Sequence, residues 1–205
     1  FWMSNTPVTL PQWLRIMRYS PTTFFDAGNR PVTNIGRQQC QAFLRKLNLL
    51  TKGPFALLSG FLDRLSEEPK KSLFRLPTEA EWECACRAGT TGAYGRDIDT
   101  IARNRPSRCG AVTTPCVGKQ EPNAWGLHAM DCLVYEWCHD LYGEYPPQDV
   151  CDPTGAPSGL EYVTRGGSPD LPSRSAARHA ISRDVRDFYI GFRVAMGPVV
   201  KAPLI

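Results

Sequence analysis

The sequence lacks the features that mark membrane and nucleic-acid-binding proteins. No apolar run approaches the roughly 18 residues that a membrane-spanning helix needs, so we expect no transmembrane span in this chain. No run of Lys and Arg is long enough to follow a phosphate backbone, and the net charge is only +4, so nucleic acid is not an expected partner. The 205 residues can bury a sizeable core, and one domain over 1–205 is the simplest organisation.

Close cysteine pairs are also missing. None of the eight cysteines forms a C-x-x-C pair, and three histidines cannot supply the missing ligands, which argues against a zinc site. We expect mostly buried free thiols, with room for one loop disulfide such as Cys109 with Cys116. Cys84 and Cys86 lie two positions apart in a predicted helix and should point in different directions.

Five amino-acid types are absent from the C-terminal region. Between Arg165 and Ala195 there is no Glu, Lys, Gln, Met or Trp, although these five types supply 30 of the other 174 residues. They are the five amino acids that a codon ending in a pyrimidine cannot encode. Randomising only the adenines of AAC or AAT codons would produce this exclusion, so the pattern indicates that the segment contains replaceable residues.

Capping signals and apolar spacing predict three helices. Thr9 with Gln12 and Thr78 with Glu81 form capping boxes, the second of which opens a helix over 79–87 that Gly89 should end. An amphipathic helix over 36–50 is predicted to keep Arg37 outside. Residues 51–73 are predicted to be an insertion, with the apolar spacing of an additional amphipathic helix.

Short strands and loops should dominate after Gly89. The clearest predicted strands are 161–165 and 189–195, and Gly166 and Gly167 should mark a bulge or a tight bend. Because the helices cluster early and the strands late, we predict an α+β fold.

Five collinear motifs carry a family resemblance. They are RLPTEAEWECACRAGT (75–90), PNAWGLHAMDCLVYEWCHDLYGEY (122–145), DPTGAPSG (152–159), RGGS (165–168) and IGFRVA (190–195). Together they resemble the formylglycine-generating-enzyme, or sulfatase-modifying-factor, branch of the C-type lectin fold. The resemblance implies an α+β domain of this subtype, with much irregular structure, a twisted antiparallel sheet and two principal helices.

Enzymes of this family are copper-dependent oxidases that convert a sulfatase cysteine to formylglycine. The resemblance implies that two cysteines after the GGS element hold the metal, yet 169–178 contains no Cys and none follows Cys151. We therefore expect no enzyme activity, no catalytic residue and no cofactor. A divergent formylglycine-generating enzyme or a related metal-dependent oxidase is the alternative.

The family's calcium site is also incomplete. Members with the motif GNVWEW bind Ca²⁺ nearby, but here Ala129 stands where an acidic or amide ligand would be. Glu136 remains as a weak calcium candidate, although a single carboxylate is more often the salt-bridge partner of a structural Arg.

The C-terminal region is similar to that of a narrower group with the same fold, the variable proteins of diversity-generating retroelements. In that group a reverse transcriptase writes adenine-specific errors into the 3′ end of the gene. The resemblance implies a variable region at about 165–195 in which a constant frame alternates with replaceable residues. The frame contains the RGGS motif and five arginines that are expected to hold the loops by bidentate hydrogen bonds to carbonyls and carboxylates. These are Arg174, Arg178, Arg183, Arg186 and Arg193. The candidate ligand contacts are Pro169, Asp170, Leu171, Pro172, Ala177, His179, Ala180, Ile181, Asp184, Val185, Asp187, Phe188 and Tyr189.

This resemblance implies a non-catalytic protein that recognises a macromolecule, either a protein or a surface glycan. Phe188 and Tyr189 are expected to contribute most to affinity. If Phe188 alternates with Ile190 and Phe192 on one strand, it would instead belong to the core. We expect export or display at the cell surface, as a lipoprotein if a signal precedes Phe1.

Overall fold

A computed structural model describes residues 1–22, 28–52, 73–97, 114–198 and 200 of the chain. Within these ranges the helices are α1 (Leu10–Met17), α2 (Arg37–Lys52) and α3 (Glu79–Arg87). The strands are β1 (Trp2–Met3), β2 (Leu73–Arg75), β3 (Tyr135–Leu141), β4 (Glu161–Gly166), β5 (His179–Ser182), β6 (Ile190–Gly191) and β7 (Ala195–Gly197). They form a three-stranded sheet, β1-β7-β2, and a four-stranded sheet, β5-β4-β3-β6. The predicted α+β class is confirmed, whereas most of the predicted insertion lies outside the described residues.

Both predicted capping boxes are present. The Thr9 hydroxyl accepts from the Gln12 amide (3.4 Å) while the Gln12 side chain accepts from the Thr9 amide (2.9 Å). Thr78 and Glu81 repeat the arrangement at 3.1 and 2.9 Å. Ala88, in the left-handed conformation with φ 46°, ends α3 one residue before the predicted Gly89.

Two groups of buried side chains pack on opposite faces of the four-stranded sheet. On one face, the Trp13 ring of α1 stacks on Phe43 of α2 at 5.5 Å and meets the edge of Phe192 at 6.3 Å. This cluster includes Trp137 of β3. On the other face, Trp82 of α3 packs with residues of β3 and β4. None of the helices in the described ranges is long and apolar enough to cross a membrane.

Arg37 departs from its predicted outward position. The residue is only 4% exposed. One Nη donates to the His139 carbonyl (2.7 Å), and the guanidinium lies 3.7 Å from the centre of the Tyr162 ring. Arg37 shares the helix face of Cys40 and Leu44 at spacings of three and seven, so its position faces the sheet. A carbonyl and an aromatic ring offset the burial of its charge.

The prediction of one continuous strand over 189–195 is wrong. β6 ends at Gly191 and pairs parallel with β3, and the chain then crosses to the other sheet, where β7 pairs with β1 and β2. Gly191 is needed at this crossing because a Cβ there would lie 2.8 Å from the Val32 carbonyl oxygen. The strand predicted at 161–165 is confirmed as β4, and Gly166 at its end adopts φ 90°, as expected of a bend.

The thiols follow the predicted distribution. Cys40, Cys86, Cys132 and Cys138 are buried, and every cysteine in the described ranges is free. Burial raises the pKa of Cys86 to about 11 and raises the pKa of each of the other three buried thiols well above its usual value. These four groups are therefore un-ionised at neutral pH. Cys84 is exposed whereas Cys86 is buried, and Cys109 lies outside the described residues.

Candidate ligand-binding surface

The candidate contacts lie on a segment that leaves β4 through a tight turn. The Leu171 amide donates to the Ser168 carbonyl (3.2 Å), and the Ser173 amide donates to the Asp131 carbonyl (2.7 Å). Gly167 allows this path because a Cβ at its position would lie 2.4 Å from the Leu171 carbonyl oxygen. We call the candidate contacts on residues 169–189 the C-terminal surface.

Arg193 and Glu136 form a fully buried ion pair behind this surface. Arg193 donates to both Glu136 carboxylate oxygens at 3.0 Å, and the Trp82 indole N–H donates to one of them at 2.8 Å. Two further Arg193 donors reach the carbonyls of Ser4 and His128, both at 2.9 Å. Both oxygens of Glu136 are occupied, so the weak calcium candidate is instead the partner of a structural arginine.

Arg178 is the second frame arginine with a bidentate contact. It donates to both carboxylate oxygens of Glu79 at 2.7 Å and to the Gly143 carbonyl at 2.7 Å. The rings of Tyr145 and Tyr142 lie 4.1 and 4.5 Å from its guanidinium. This bidentate geometry joins the start of β5 to the first turn of α3.

Arg165, the first residue of the RGGS motif, completes the network and is fully buried. It contacts the carboxylates of Glu79 (3.3 Å) and Glu83, and it donates to the carbonyls of Ser175 (2.8 Å) and Ala176 (3.1 Å). The predicted frame contains Arg165 within the RGGS motif, but Arg165 was not one of the five arginines expected to hold the loops. Within the C-terminal segment, the Arg165 side chain donates to main-chain carbonyls.

Arg174, Arg183 and Arg186 differ from the predicted frame. Their side chains are exposed. The Arg183 Nε lies 3.6 Å from a carboxylate oxygen of Asp184, in an ion pair that is itself largely exposed. Such pairs contribute little because water screens them. Of the five frame arginines, only Arg178 and Arg193 make a bidentate contact with a carboxylate.

The scaffold holds the segment mainly through main-chain groups. The amide of Asn34 donates to the Asp187 carbonyl (2.9 Å), and the Arg37 amide donates to the Arg183 carbonyl (3.1 Å). The Tyr135 amide donates to the Tyr189 carbonyl (2.7 Å). Every amino acid has a backbone carbonyl, so these contacts do not depend on which side chain occupies the position.

Six of the thirteen candidate side chains are exposed, six are half-buried and one is buried. Leu171, Phe188 and Val185 are 67%, 47% and 41% exposed, and the core alternative for Phe188 is therefore wrong. His179, Asp184 and Asp187 are also exposed. The half-buried candidates are Asp170, Pro172, Ala177, Ala180, Ile181 and Tyr189. Pro169 differs from the rest because it is buried, so its own side chain offers no surface to a ligand.

Strand register brings two of the candidate clusters together. β3 begins with Tyr135, which pairs with Ile190 of β6 on one side and with Gly166 of β4 on the other. The first residue of β5, His179, reaches across β4, and its ring centre lies 5.0 Å from that of Tyr135. Although the residue as a whole is exposed, partial burial of the His179 imidazole and the nearby Arg165 lower its pKa, which favours the neutral form at pH 7. Tyr135 was not among the predicted contacts.

A cavity of about 780 Å³ lies on the other side of Arg178, between α3 and residues 143–157. The Asp140 carboxylate lines it and accepts a hydrogen bond from the Glu79 amide (2.8 Å). Burial raises the pKa of Asp140 to about 7. The exposed thiols of Cys84 and Cys151 also line this cavity.

The side chains do not fit the copper site that the family resemblance implies. Residues 169–178 offer no thiol. Across the described ranges, no three His, Cys, Asp or Glu side chains are grouped so that they could hold a metal ion.

Comparison with known proteins places this arrangement in a family. The model of the sulfatase-modifying factor enzyme 1-like domain matches residues 1–197. The chain belongs to this family. Among solved structures of this fold, the variable protein 1 of Treponema denticola superposes with a TM-score of 0.78 at 29% identity, covering 96% of this chain and 84% of that protein. PvdO from Pseudomonas aeruginosa shows the same fold, with a TM-score of 0.71 at 23% identity.

Curated relatives of this domain carry different names. Over 130 residues the chain is 38% identical to the serine/threonine-protein kinase pkn1 of Chlamydia pneumoniae, which covers 59% of this chain and 20% of that protein. Over 151 residues it is 32% identical to the formylglycine-generating enzyme of Thermomonospora curvata, covering 61% of this chain and 50% of the enzyme. The chain thus matches between a fifth and a half of the length of these two relatives.

Proposed function

We propose that this domain is a non-catalytic ligand-binding protein whose C-terminal surface recognises a macromolecular target and is diversified by a retroelement. The observation that carries the proposal is the way the segment is held. Scaffold amides and Arg165 bind its carbonyls, while most of its candidate side chains are exposed or half-buried. Replacing most of these side chains therefore leaves the main-chain contacts that fix the loop in place. Two candidates make contacts of their own: Asp187 accepts a hydrogen bond from the Tyr189 amide (2.8 Å), and Ile181 packs against the core.

The chemistry of the surface supports recognition of a macromolecule. Phe188, Leu171 and Val185 present apolar area, while Asp184 and Asp187 present hydrogen-bond acceptors. Aromatic and aliphatic contacts surrounded by a few charges are typical of protein-binding surfaces. The surface is open and carries no side-chain constellation for covalent chemistry.

The structural match to a treponemal protein named as variable supports the same function. That likeness covers 96% of this chain. The absence of five amino-acid types from 165–195 supports adenine-directed replacement independently. Display of the domain at the cell surface would bring such a surface to its targets.

A formylglycine-generating or related oxidase remains the second candidate, because an enzyme of that name is 32% identical to the chain over 151 residues. Incubation with copper and a cysteine peptide of the sulfatase type decides between the two functions. We expect no formylglycine by mass spectrometry. Its appearance at catalytic turnover would establish the oxidase and reject a purely binding role.

The binding proposal is tested with a displayed library. In this library, each candidate position other than Pro169 is encoded by an AAC codon. Only the two adenines of that codon are randomised, so every resulting codon ends in C. A control library places the same diversity on exposed positions of 144–160. Both are selected against one model protein, such as lysozyme, and the thermal unfolding of random members is measured.

We expect folded members in the first library and binders enriched above those of the control. A first library that is mostly unfolded, or that yields no more binders than the control, would reject the proposal. Diversification is tested separately in the genome. A near-duplicate of the coding region bearing AAC or AAT at these positions, next to a reverse transcriptase gene, is the expected finding.

A further inference from the structure

We propose that the outer edge of β5 pairs with an extended, acidic segment of a protein target, so that main-chain hydrogen bonds supply a constant part of recognition. This inference rests on the proposed function and specifies the class of target and its mode of binding. β5 is the last strand of the order β5-β4-β3-β6, and within the described ranges its strand partner is β4 alone. Three candidate contacts, His179, Ala180 and Ile181, lie on this edge strand.

The hydrogen-bond alternation identifies which groups of β5 face outward. Successive residues of an antiparallel strand direct their amide and carbonyl to opposite sides of the strand. The amide that follows β3 donates to the Glu161 carbonyl (2.9 Å), so the main chain of Glu161 faces β3 and that of Tyr162 faces β5. Tyr162 pairs with Ile181, whose main chain therefore faces β4. The main chains of Ala180 and Ser182, on either side of Ile181, face away from the sheet.

These outward groups are open to a further strand. Among the described residues, no hydrogen bond joins the Ala180 amide, the Ala180 carbonyl or the Ser182 amide to another group. The Ser182 carbonyl, in contrast, accepts from the Val185 amide (3.1 Å) and closes the turn after β5. Unpaired N–H and C=O groups along a sheet edge can pair with another extended chain.

Replacement of side chains preserves these main-chain groups. Ser182 is not one of the candidate contacts, so its amide belongs to the constant part of the segment. Ala180 is a candidate contact, but every amino acid except proline supplies both an amide and a carbonyl at this position. The edge thus offers almost every variant the same donors and acceptor, whichever side chains surround them.

The pattern of the outward groups favours a polypeptide as the partner. A donor and an acceptor on one residue, followed two residues later by a second donor, recur at about 7 Å along an extended chain. Another extended chain carries the complementary groups at the same spacing. A glycan has no such alternation of N–H and C=O groups, so it cannot satisfy the edge in the same way.

Two exposed arginines at the end of β5 favour carboxylates in the partner segment. Arg183 follows the strand directly, and its side chain is 45% exposed. The Arg183 carbonyl oxygen and the Arg186 Cγ would lie 3.2 and 3.8 Å from a Cβ at Gly36, so both residues pass the same point of the scaffold. Asp184, the carboxylate that pairs with Arg183, is a candidate contact, whereas neither arginine is. Replacement can therefore remove the carboxylate and leave both positive charges.

These charges also distinguish between possible protein partners. A second copy of this chain, paired through its own β5, would bring its Arg183 and Arg186 to the same edge. Like charges at an interface disfavour such pairing, whereas Asp or Glu in a target complements them. The exposed frame arginines that hold no loop would thus act in recognition.

The test begins with the unaltered protein, which selects binders from a displayed library of short random peptides. Recovered peptides are synthesised, and their affinities are measured by fluorescence anisotropy. Ala180→Pro removes the outward amide at an edge position that tolerates proline, and Ala180→Val, which keeps the amide, is the matched control. In addition, each peptide amide is N-methylated in turn, which probes strand pairing without any change to the protein.

We expect Ala180→Pro to weaken peptide binding about tenfold and Ala180→Val to weaken it less than about threefold, at unchanged thermal unfolding. N-methylation should weaken binding at alternate positions of one stretch of each peptide. The peptides should be enriched in Asp and Glu. Arg183→Met should weaken binding about two- to fivefold, whereas Arg15→Met, at an exposed arginine of α1, should leave it unchanged.

Failure to recover peptides would overturn this inference, as would N-methylation effects without alternation or equal affinities for Ala180→Pro and Ala180→Val. A peptide-free dimer that Ala180→Pro dissociates would assign the edge to a second copy of the chain and overturn the choice of partner. Binding of mannan, a glycan, that is lost with Ala180→Pro would overturn it as well. The lysozyme library tests the proposed function separately, so binders from that library would leave the proposed function standing if the edge of β5 failed these tests.

Discussion

The frame and the C-terminal surface lie in the same short segment but are held by opposite kinds of contact. Arg193 and Arg165 are fully buried, and their guanidinium groups are matched by the carboxylates of Glu136, Glu79 and Glu83. The surface residues between them are held by their own carbonyls. Stability in the frame depends on side-chain identity, whereas in the surface it depends on the backbone.

This division explains how recognition can vary without loss of the fold. A buried guanidinium that loses its carboxylate leaves a charge without compensation, which is far more costly than the loss of an exposed contact. The frame residues are thus fixed by the energetics of burial. Replacing an exposed side chain leaves no buried charge without compensation. The residues at the exposed positions can therefore change to fit different ligands.

The largest expected effect comes from breaking the frame. Arg193→Met leaves the Glu136 carboxylate buried beside Trp82 without its counter-charge and removes the donors to Ser4 and His128. We expect the free energy of unfolding to fall by about 3–5 kcal/mol. Urea unfolding followed by tryptophan fluorescence measures it.

Arg186→Met is the matched control, because it makes the same change at an exposed arginine of the same segment and should cost less than about 0.5 kcal/mol. The double variant Arg193→Met with Glu136→Gln removes both charges. It should recover part of the lost stability. Equal costs for Arg193→Met and Arg186→Met would show that the buried pair is not a distinct stabilising element.

An intermediate effect is expected where the backbone path itself is constrained. Gly167→Ala would bring a Cβ to 2.4 Å from the Leu171 carbonyl oxygen and 2.9 Å from that of Asp131. The turn after β4 must then shift, at a cost of about 1–3 kcal/mol. Thermal unfolding and the yield of lysozyme binders from a Gly167→Ala library should both fall.

Gly92→Ala supplies the comparison for this turn. An added Cβ there meets only the Tyr94 carbonyl oxygen at an ordinary 3.7 Å. We expect its stability to match that of the parent chain within about 0.5 kcal/mol. If Gly167→Ala were equally neutral, the path of residues 167–171 would not depend on glycine.

Local signals predicted the elements, and the motif resemblance predicted the fold. The two capping boxes each involve residues three apart, so they can be read directly from the sequence. Arg37 was misplaced because its burial depends on Tyr162 and His139, which are distant in the chain. Tyr135 was missed for a similar reason, since its contact with the His179 ring arises across β4. Both positions depend on contacts between residues that are distant in the chain, and neither charge nor apolar spacing in the sequence predicts such contacts.

The smallest expected effect is also the sharpest comparison, because the two regions offer the same residue four positions apart. Phe188 is 47% exposed on the C-terminal surface, whereas Phe192 is fully buried against Trp13 and Phe43. Phe188→Ala should change the free energy of unfolding by no more than about 0.5 kcal/mol, and Phe192→Ala should cost about 3–5 kcal/mol because it leaves a cavity. Denaturant unfolding of the two variants under identical conditions measures the difference. A loss with Phe188→Ala comparable to that with Phe192→Ala would mean that the surface side chains support the core, and free replacement at this position would then be impossible.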